Sequence, residues 1–337
     1  LCIGPAGENK VFASSIEHTM GAGAHRAAVG AVMGHKRLKA IVVHGTNDIH
    51  VAKPTELKKT CGHILSKIGP IKQYFNNWPE ENGPWLFNEA MHGNYEEEVR
   101  FEDAEKKLTD FETTYKTRAD SCFNCGVGCK SIISLPNGQY ASIKCQSYFN
   151  FMFAIKICDI HFSAQCFKLC EKYGLDVIST AYLTGFAIDL YQRGILTQQD
   201  TGGLVLKWQD RNVAFKMIEK IANREDIGNI LANGVVEASK EIGKGAEEHA
   251  YHIKKLEPIP YTIDPYSSLL SSVGAKPDQT RSEGFIPSAG LEYYSTEWKK
   301  EYVKDGYFSY PENFTSDFVN EYEGRNNDYE KIVPFVS

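Results

Sequence analysis

Apolar residues recur at three- and four-residue intervals through most of the middle of the chain, and that period predicts helices where alternation would predict strands. A first helix runs from Lys53 to about Ile68, with Thr55 as its cap, Leu57, Cys61, Ile64 and Leu65 on one face, and Gly69-Pro70 as its stop. A charged amphipathic helix is expected over 102–117. Tyr148 to Tyr173 reads as one or two mostly buried helices, in which Cys158, Cys166 and Cys170 recur at helical intervals and are packing residues. Gly174-Leu-Asp176 breaks the pattern; a helix from Val177 to Arg193 then ends at Gly194, and two more occupy 212–223 and 229–242. Strands are fewer. Ile132-Ile-Ser-Leu135 and Tyr140-Ala-Ser-Ile-Lys144 flank Asn137-Gly138, a strong hairpin turn, and Lys39-Ala-Ile-Val-Val43 is strand-like. No clear period survives from Phe75 to Tyr95, and residues 261–337, rich in Tyr, Ser, Pro and Glu, carry only a weak one.

Composition narrows the function classes. A chain of 337 residues, 42 % apolar and 24 % charged, is long enough for two or three domains of ordinary soluble composition. A formal charge of −6 without any long block of like charge gives no electrostatic case for nucleic acid or an anionic membrane. The longest apolar run, Tyr148 to Ile155, is too short to span a bilayer. Nine cysteines, an odd number without a secretion signal, point to a reducing, cytoplasmic compartment and against a disulfide framework. The opening Leu1-Cys-Ile-Gly-Pro has neither a starting Met nor a basic leader, and reads as internal to a longer polypeptide.

The chemistry is concentrated in Cys122-Phe-Asn-Cys125-Gly-Val-Gly-Cys129. Thiolates spaced C-x2-C-x3-C can share a metal centre if the backbone curls around it, and Gly126 and Gly128 permit the positive φ that curling needs. A [4Fe-4S] cluster is the reading favoured by ligand chemistry. Zinc, which usually takes a second C-x2-C that this chain lacks, and three inert buried thiols are the alternatives. A cluster wants a fourth ligand. Cys145, just past the second hairpin strand, is either a ligand on a rigid perch or a small buried hydrophobe.

Other candidates are weaker. Glu89-Ala-Met-His92 sets a carboxylate and an imidazole on one face, in reach of a proton relay, if the segment is helical; otherwise both are simply solvated. Asp176 can cap the helix that follows or accept hydrogen bonds from a bound heterocycle, and capping is the better fit to local chemistry. The Gly/Ala-rich stretch from Gly21 to Gly34 allows close backbone approach, either to a phosphate or ring or, as glycines favour, to another element.

Taken together, Gly4-Pro-Ala-Gly-Glu-Asn9, Val29-Gly-Ala-Val-Met-Gly34 with Leu38-Lys-Ala-Ile-Val-Val43, the cysteine run and Tyr173-Gly-Leu-Asp176 resemble, in order and spacing, the tungsten-pterin aldehyde:ferredoxin oxidoreductase family over residues 1 to 255. Within it the likeness is nearest to the active-site subunit of class II benzoyl-CoA reductases, which carry a cysteine on tungsten in a Lys-Cys context, matched by Lys144-Cys145, and a Glu-x-x-His pair, matched by Glu89 and His92. The implied fold is α+β and multidomain. Residues 1–48 would end an α/β pterin-binding domain, 49–255 form a mainly helical middle domain carrying the cluster cysteines, and 256–337 begin an incomplete C-terminal domain.

The resemblance implies a tungsten (or molybdenum) bis-pterin held by Arg26, Ala27, Glu171, Gly174, Leu175 and Asp176, with Cys145 as a further sulfur on the metal. It implies a [4Fe-4S] cluster on Cys122, Cys125 and Cys129, and His92, positioned by Glu89, as proton donor. The expected activity is reduction of an aryl-CoA to a cyclic diene in an oligomer fed by an iron-sulfur electron-transfer subunit or ferredoxin. Oxidation of aldehydes to carboxylic acids, or a non-catalytic electron-transfer subunit with only the cluster filled, are the rivals. Four departures matter: Glu171 stands where the family has Asp, Ala27-Ala28 stand where it has Gly-Gly, Phe87 and no acid stand upstream of the Glu89/His92 pair where the benzoyl-CoA branch has a further His and Glu, and no cysteine after Cys170 can supply the fourth cluster ligand, so the chain reads as a fragment or a split subunit.

Overall fold

The computed structural model describes residues 1–19, 22–47, 49–67, 91–92, 98–99, 110, 114–121, 125–126, 128, 130–143 and 145–257. The chain divides into two compact units, Leu1–Thr280 and Arg281–Ser337, and all described residues lie in the first. It opens with a short helix, α1 (Pro5–Glu8), an antiparallel pair β1 (Ile16–Thr19) and β2 (Ala22–Ala24), and α2 (Val29–His35). Then come α3 (Pro54–Lys67), the two-residue strands β3 (Met91–His92) and β4 (Glu98–Val99), and an antiparallel sheet of β5 (Lys116–Asp120), β6 (Lys130–Ser134) and β7 (Tyr140–Ile143). A helical layer completes it: α4 (Cys145–Ala154), α5 (Ile160–Tyr173), α6 (Val177–Gln192), α7 (Arg211–Asn223), α8 (Ile227–Leu231) and α9 (Val235–Ile242).

The helical layer forms because its apolar faces close on one another. Phe151, Met152, Phe153, Phe162, Leu183, Met217 and Leu231 meet in one core, joined by Ala6, Val11 and Ala13 from the N-terminal segment and Ile133 and Leu135 from the hairpin. Helix α6 has no wet face: every residue from Val177 to Leu190 is buried. It approaches α4 closely through Gly185, where a Cβ would lie 2.7 Å from the Ala154 carbonyl oxygen. Three helices of this layer, α5, α6 and α7, are capped at their N-termini by an aspartate. Asp159 caps α5 by accepting from Phe162 N at 3.0 Å, Asp176 caps α6 by accepting from Ser179 N at 2.8 Å, and Asp210 caps α7 by accepting from Asn212 N at 2.9 Å.

Several sequence expectations hold, and several give way. The hairpin turns at Asn137-Gly138, with Gly138 at φ 76°, and the two buried helices of 148–173 are α4 and α5. Lys39–Val43 forms a single bridge, Ala40 to Cys2, with Ile41 N donating to the Leu1 carbonyl, and Val42 and Val43 are exposed. Thr55 is not the cap of α3, because Pro54, which has no N–H to satisfy, takes the first helical position. The apolar face of α3 (Leu57, Ile64, Leu65) is exposed. Cys158 lies between α4 and α5, so only Cys166 and Cys170 share a helix. The helix expected over 229–242 is two, parted by Gly234 at φ 84° beneath the Phe12 ring. Most of the helix expected over 102–117 lies outside the described residues, and strand β5 already begins at Lys116.

Candidate functional site

The motifs separated by up to 170 residues in the sequence assemble around one corner, the three-residue turn Gly174–Asp176 between α5 and α6. Gly174 ends α5 in the left-handed region (φ 69°) and Asp176 begins α6. Gly4 lies directly on this turn: a Cβ on Gly4 would sit 2.3 Å from the Tyr173 carbonyl oxygen, and one on Gly174 would sit 2.5 Å from Gly4 N. Residues 13–15 run alongside, with Asp176 N donating to the Ala13 carbonyl at 2.7 Å and Ser15 N to the Gly174 carbonyl at 2.9 Å. Gly30 of α2 is pressed against Ser14 and Ser15, and Gly34 against the Gly7 carbonyl. The glycines of all three motifs therefore serve backbone-to-backbone contact.

Arg26 emerges at this corner. Its side chain is buried, one terminal nitrogen donates to the Glu257 carbonyl oxygen, and Nε and Nη1 have no hydrogen-bond partner. An orphaned buried guanidinium is costly, because its donors are stripped of water and given nothing in return. An acceptor-rich group such as a phosphate or a pterin ring would supply what is missing, so Arg26 fits the cofactor that the resemblance implies. Arg26, Ala27 and Ala28 all have positive φ (66°, 54° and 58°). Left-handed backbone costs an L-residue on the order of 1–2 kcal/mol, which gives a physical reason for Gly-Gly at the last two positions in the family pattern.

Glu257 was not visible as a site residue, since a Glu between Leu256 and Pro258 belongs to no period or motif. It is completely buried and accepts from Val235 N at 3.0 Å through Oε1, while Oε2 has no hydrogen-bond partner. Burial pushes its carboxyl above the usual glutamate value; backbone N–H groups, the nearby Ser179 hydroxyl and the Arg26 charge pull the other way without prevailing. The Ser179 hydroxyl is close enough to favour the carboxylate yet makes no hydrogen bond of acceptable geometry. Glu257 thus links Arg26 to Ser179, the residue whose amide Asp176 caps. Leu175 is buried in the core and Glu171 is half-buried on α5. Cys170 lies beneath them, its thiol pushed well up by burial and by the charges of Asp176, Glu171 and Glu17. It is a packing residue.

The cysteine loop is held at its base. After a register shift between Lys116 and Arg118, strands β5 and β6 pair regularly from Arg118 opposite Ile132 to Asp120 opposite Lys130, so the two ends of the loop meet there. Lys130 is buried and pairs with Asp120 at 2.8 Å, and the Ser142 hydroxyl of β7 donates to the same carboxylate oxygen at 2.9 Å. Burial raises the Asp120 carboxyl, but the Lys130 and Ser142 hydrogen bonds and the ammonium charge outweigh it and hold it below the usual carboxylate range. Gly128 has φ 67°, as the curled loop was expected to need, and Cys125 is an exposed free thiol. Cys122 and Cys129 lie outside the described residues, and among the described residues no three His, Cys, Asp or Glu side chains stand close enough to hold a metal ion. Cys145 is the first residue of α4, two residues past the end of β7. Glu89 lies outside the described residues; His92 is in a strand, paired with Glu98, so the helical spacing that would align Glu89 with His92 does not hold at His92.

Comparison with known proteins follows the same lines. Residues 1–45 match the model of the aldehyde ferredoxin oxidoreductase N-terminal domain, and residues 82–273 that of domains 2 and 3. The tungsten-containing aldehyde ferredoxin oxidoreductase of Thermococcus kodakarensis is 31 % identical over 268 residues, which cover 76 % of this chain and 43 % of that protein. The WOR-like subunit of the aliphatic sulfonate oxidoreductase of Pyrococcus furiosus is 30 % identical over 274 residues, 75 % of this chain and 43 % of that one. Among solved structures, the active site complex BamBC of benzoyl coenzyme A reductase with 1,5-dienoyl-CoA has a TM-score of 0.76 and 31 % identity, and the match covers 93 % of this chain and 50 % of the other. The chain spans less than half the length of the curated relatives it matches. With its helical layer, its small sheets and the glycine-bound corner on which the shared motifs meet, this α+β chain belongs to the aldehyde ferredoxin oxidoreductase family.

Proposed function

We propose that the chain is part of a cytoplasmic tungsten-pterin, iron-sulfur oxidoreductase that reduces an aromatic acyl-CoA of the benzoyl-CoA type to a cyclic diene, working in an oligomer with an iron-sulfur electron donor. The observation that carries this reading is the likeness, over 93 % of the chain, to a benzoyl coenzyme A reductase active-site complex solved with a dienoyl-CoA. When bound, the bis-pterin metal and a [4Fe-4S] cluster supply low-potential electrons. The chain's own residues divide the remaining work. Arg26, with its unsatisfied donors, and the corner of Ala27, Glu171, Gly174, Leu175 and Asp176 hold the pterin. Cys122, Cys125 and Cys129 anchor the cluster. Cys145, fixed between the end of β7 and the start of α4, offers a soft thiolate to the tungsten, and His92 with Glu89 holds the proton for the ring. No helix among the described residues is long and apolar enough to cross a membrane.

Cys145→Ala is expected to abolish aryl-CoA reduction while leaving the visible absorbance of the cluster. Full activity in that variant would end the assignment of Cys145. The curated aldehyde ferredoxin oxidoreductase at 31 % identity favours a second reading, oxidation of an aldehyde to its acid. Aldehyde-dependent viologen reduction in the absence of any CoA thioester would select it.

A further inference from the structure

The ion pair at the base of the cysteine loop has no part in the reading above. A buried ion pair is a weak device for stability, since desolvation offsets most of the Coulomb gain. This one is also redundant for closing the loop, because β5 and β6 are already in register there. What singles it out is its place. Lys130 directly follows Cys129 in the sequence, and Asp120 stands two residues before Cys122. The third member, Ser142, lies on β7, three residues before Cys145. One carboxylate therefore ties the strand entering the loop, the strand leaving it and the strand that leads to Cys145.

We propose that Lys130, Asp120 and Ser142 form an electrostatic clasp that sets the reduction potential of the cluster held by the loop and fixes the loop relative to the strand leading to Cys145. This rests on the reading of the loop as a cluster site. Reduction adds one electron, and so one negative charge, beside the clasp. The buried ammonium of Lys130 favours that added charge with little screening by salt, and the carboxylate of Asp120, whose side chain is 26 % exposed and so more screened, opposes it more weakly. Lys130 and Asp120 act through the cluster's surroundings and are positioning residues.

The test is an EPR-monitored potentiometric titration of the protein purified anaerobically in its native assembly, with iron and acid-labile sulfide measured on each sample. Lys130→Met is expected to make the cluster potential more negative, Asp120→Asn to make it less negative, and Lys130→Arg to leave it unchanged. Ser142→Ala, which removes a donor and no charge, is expected to follow Lys130→Met by a smaller step, and it carries the test if Lys130→Met does not accumulate. A purely structural role predicts loss of iron without opposed shifts. Neutralisations that move the potential the same way, or not at all, would overturn the clasp while leaving the cluster reading intact, as would loss of iron from Lys130→Arg. A parent protein without iron would remove the cluster reading, and the clasp with it.

Discussion

Arg26 and Glu257 are 231 residues apart, and each carries buried polar atoms that the other does not satisfy. Glu257 makes that corner sensitive to pH. Its carboxyl is raised on folding by burial, so the folded state holds the proton more tightly than the unfolded chain does. Its contribution is complete below the unfolded value of 4.5 and is lost as pH rises through the folded one. Glu257→Gln, which keeps the shape and removes the charge, is expected to flatten the decline of stability over that window, read as urea midpoints at about pH 5 and about pH 8. A midpoint difference as large as the parent's would refute the assignment. Arg26 was legible because it heads a recognisable motif, whereas Glu257 acquires meaning only when the fold sets it under α9. Lys130 and Asp120 were hidden for the same reason: a lysine and an aspartate ten residues apart become a pair only through strand register.

At the scale of elements, the glycines decide which helices touch. Gly34 of α2 meets the Gly7 carbonyl so closely that an added Cβ would stand 1.8 Å from it, and the obstacle is backbone that cannot turn aside. Gly34→Ala is expected to destabilise by about 2 kcal/mol or more, in the upper part of the usual range for overpacking, and a urea midpoint within error of the parent would count against rigid contact between α1 and α2. Here the period of apolar residues was a good guide. It placed α5, α6 and α7 to within a few residues, because buried faces leave a direct trace in sequence. It failed where one residue's conformation decides: Gly234 splits the helix expected over 229–242 because its positive φ is needed beneath Phe12.

At the scale of the molecule, Arg224 holds the N-terminal segment to the helical layer. From the left-handed cap of α7 it donates to the Asn9 carbonyl at 2.7 Å, the Lys10 carbonyl at 2.9 Å and the Asn233 side-chain oxygen at 3.0 Å. Asn9 Nδ2 returns a bond to the Ala222 carbonyl at 2.9 Å. The segment so fixed carries Gly4 and, further on, Arg26. Arg224→Ala is expected to cost about 2 kcal/mol, since it deprives carbonyls of charge-assisted donors. Limited trypsin digestion should then cut first at Lys10, and Arg224→Lys should restore little because an ammonium cannot span the same fork of acceptors. Unchanged digestion would show that the glycine contacts alone suffice.

Helix α6 lets the corner at its head serve as a fixed point. A rod that is dry on every side has no inexpensive direction of travel, since sliding or turning it would open all its surroundings at once. A cofactor seated beside Asp176 would therefore meet a wall that does not adjust to it. Glu171, half-exposed on α5, stands outside that wall, whereas Gly174 is wedged against Gly4 and Asp176 caps the rod itself, so a side chain added at Gly174 would have nowhere to go.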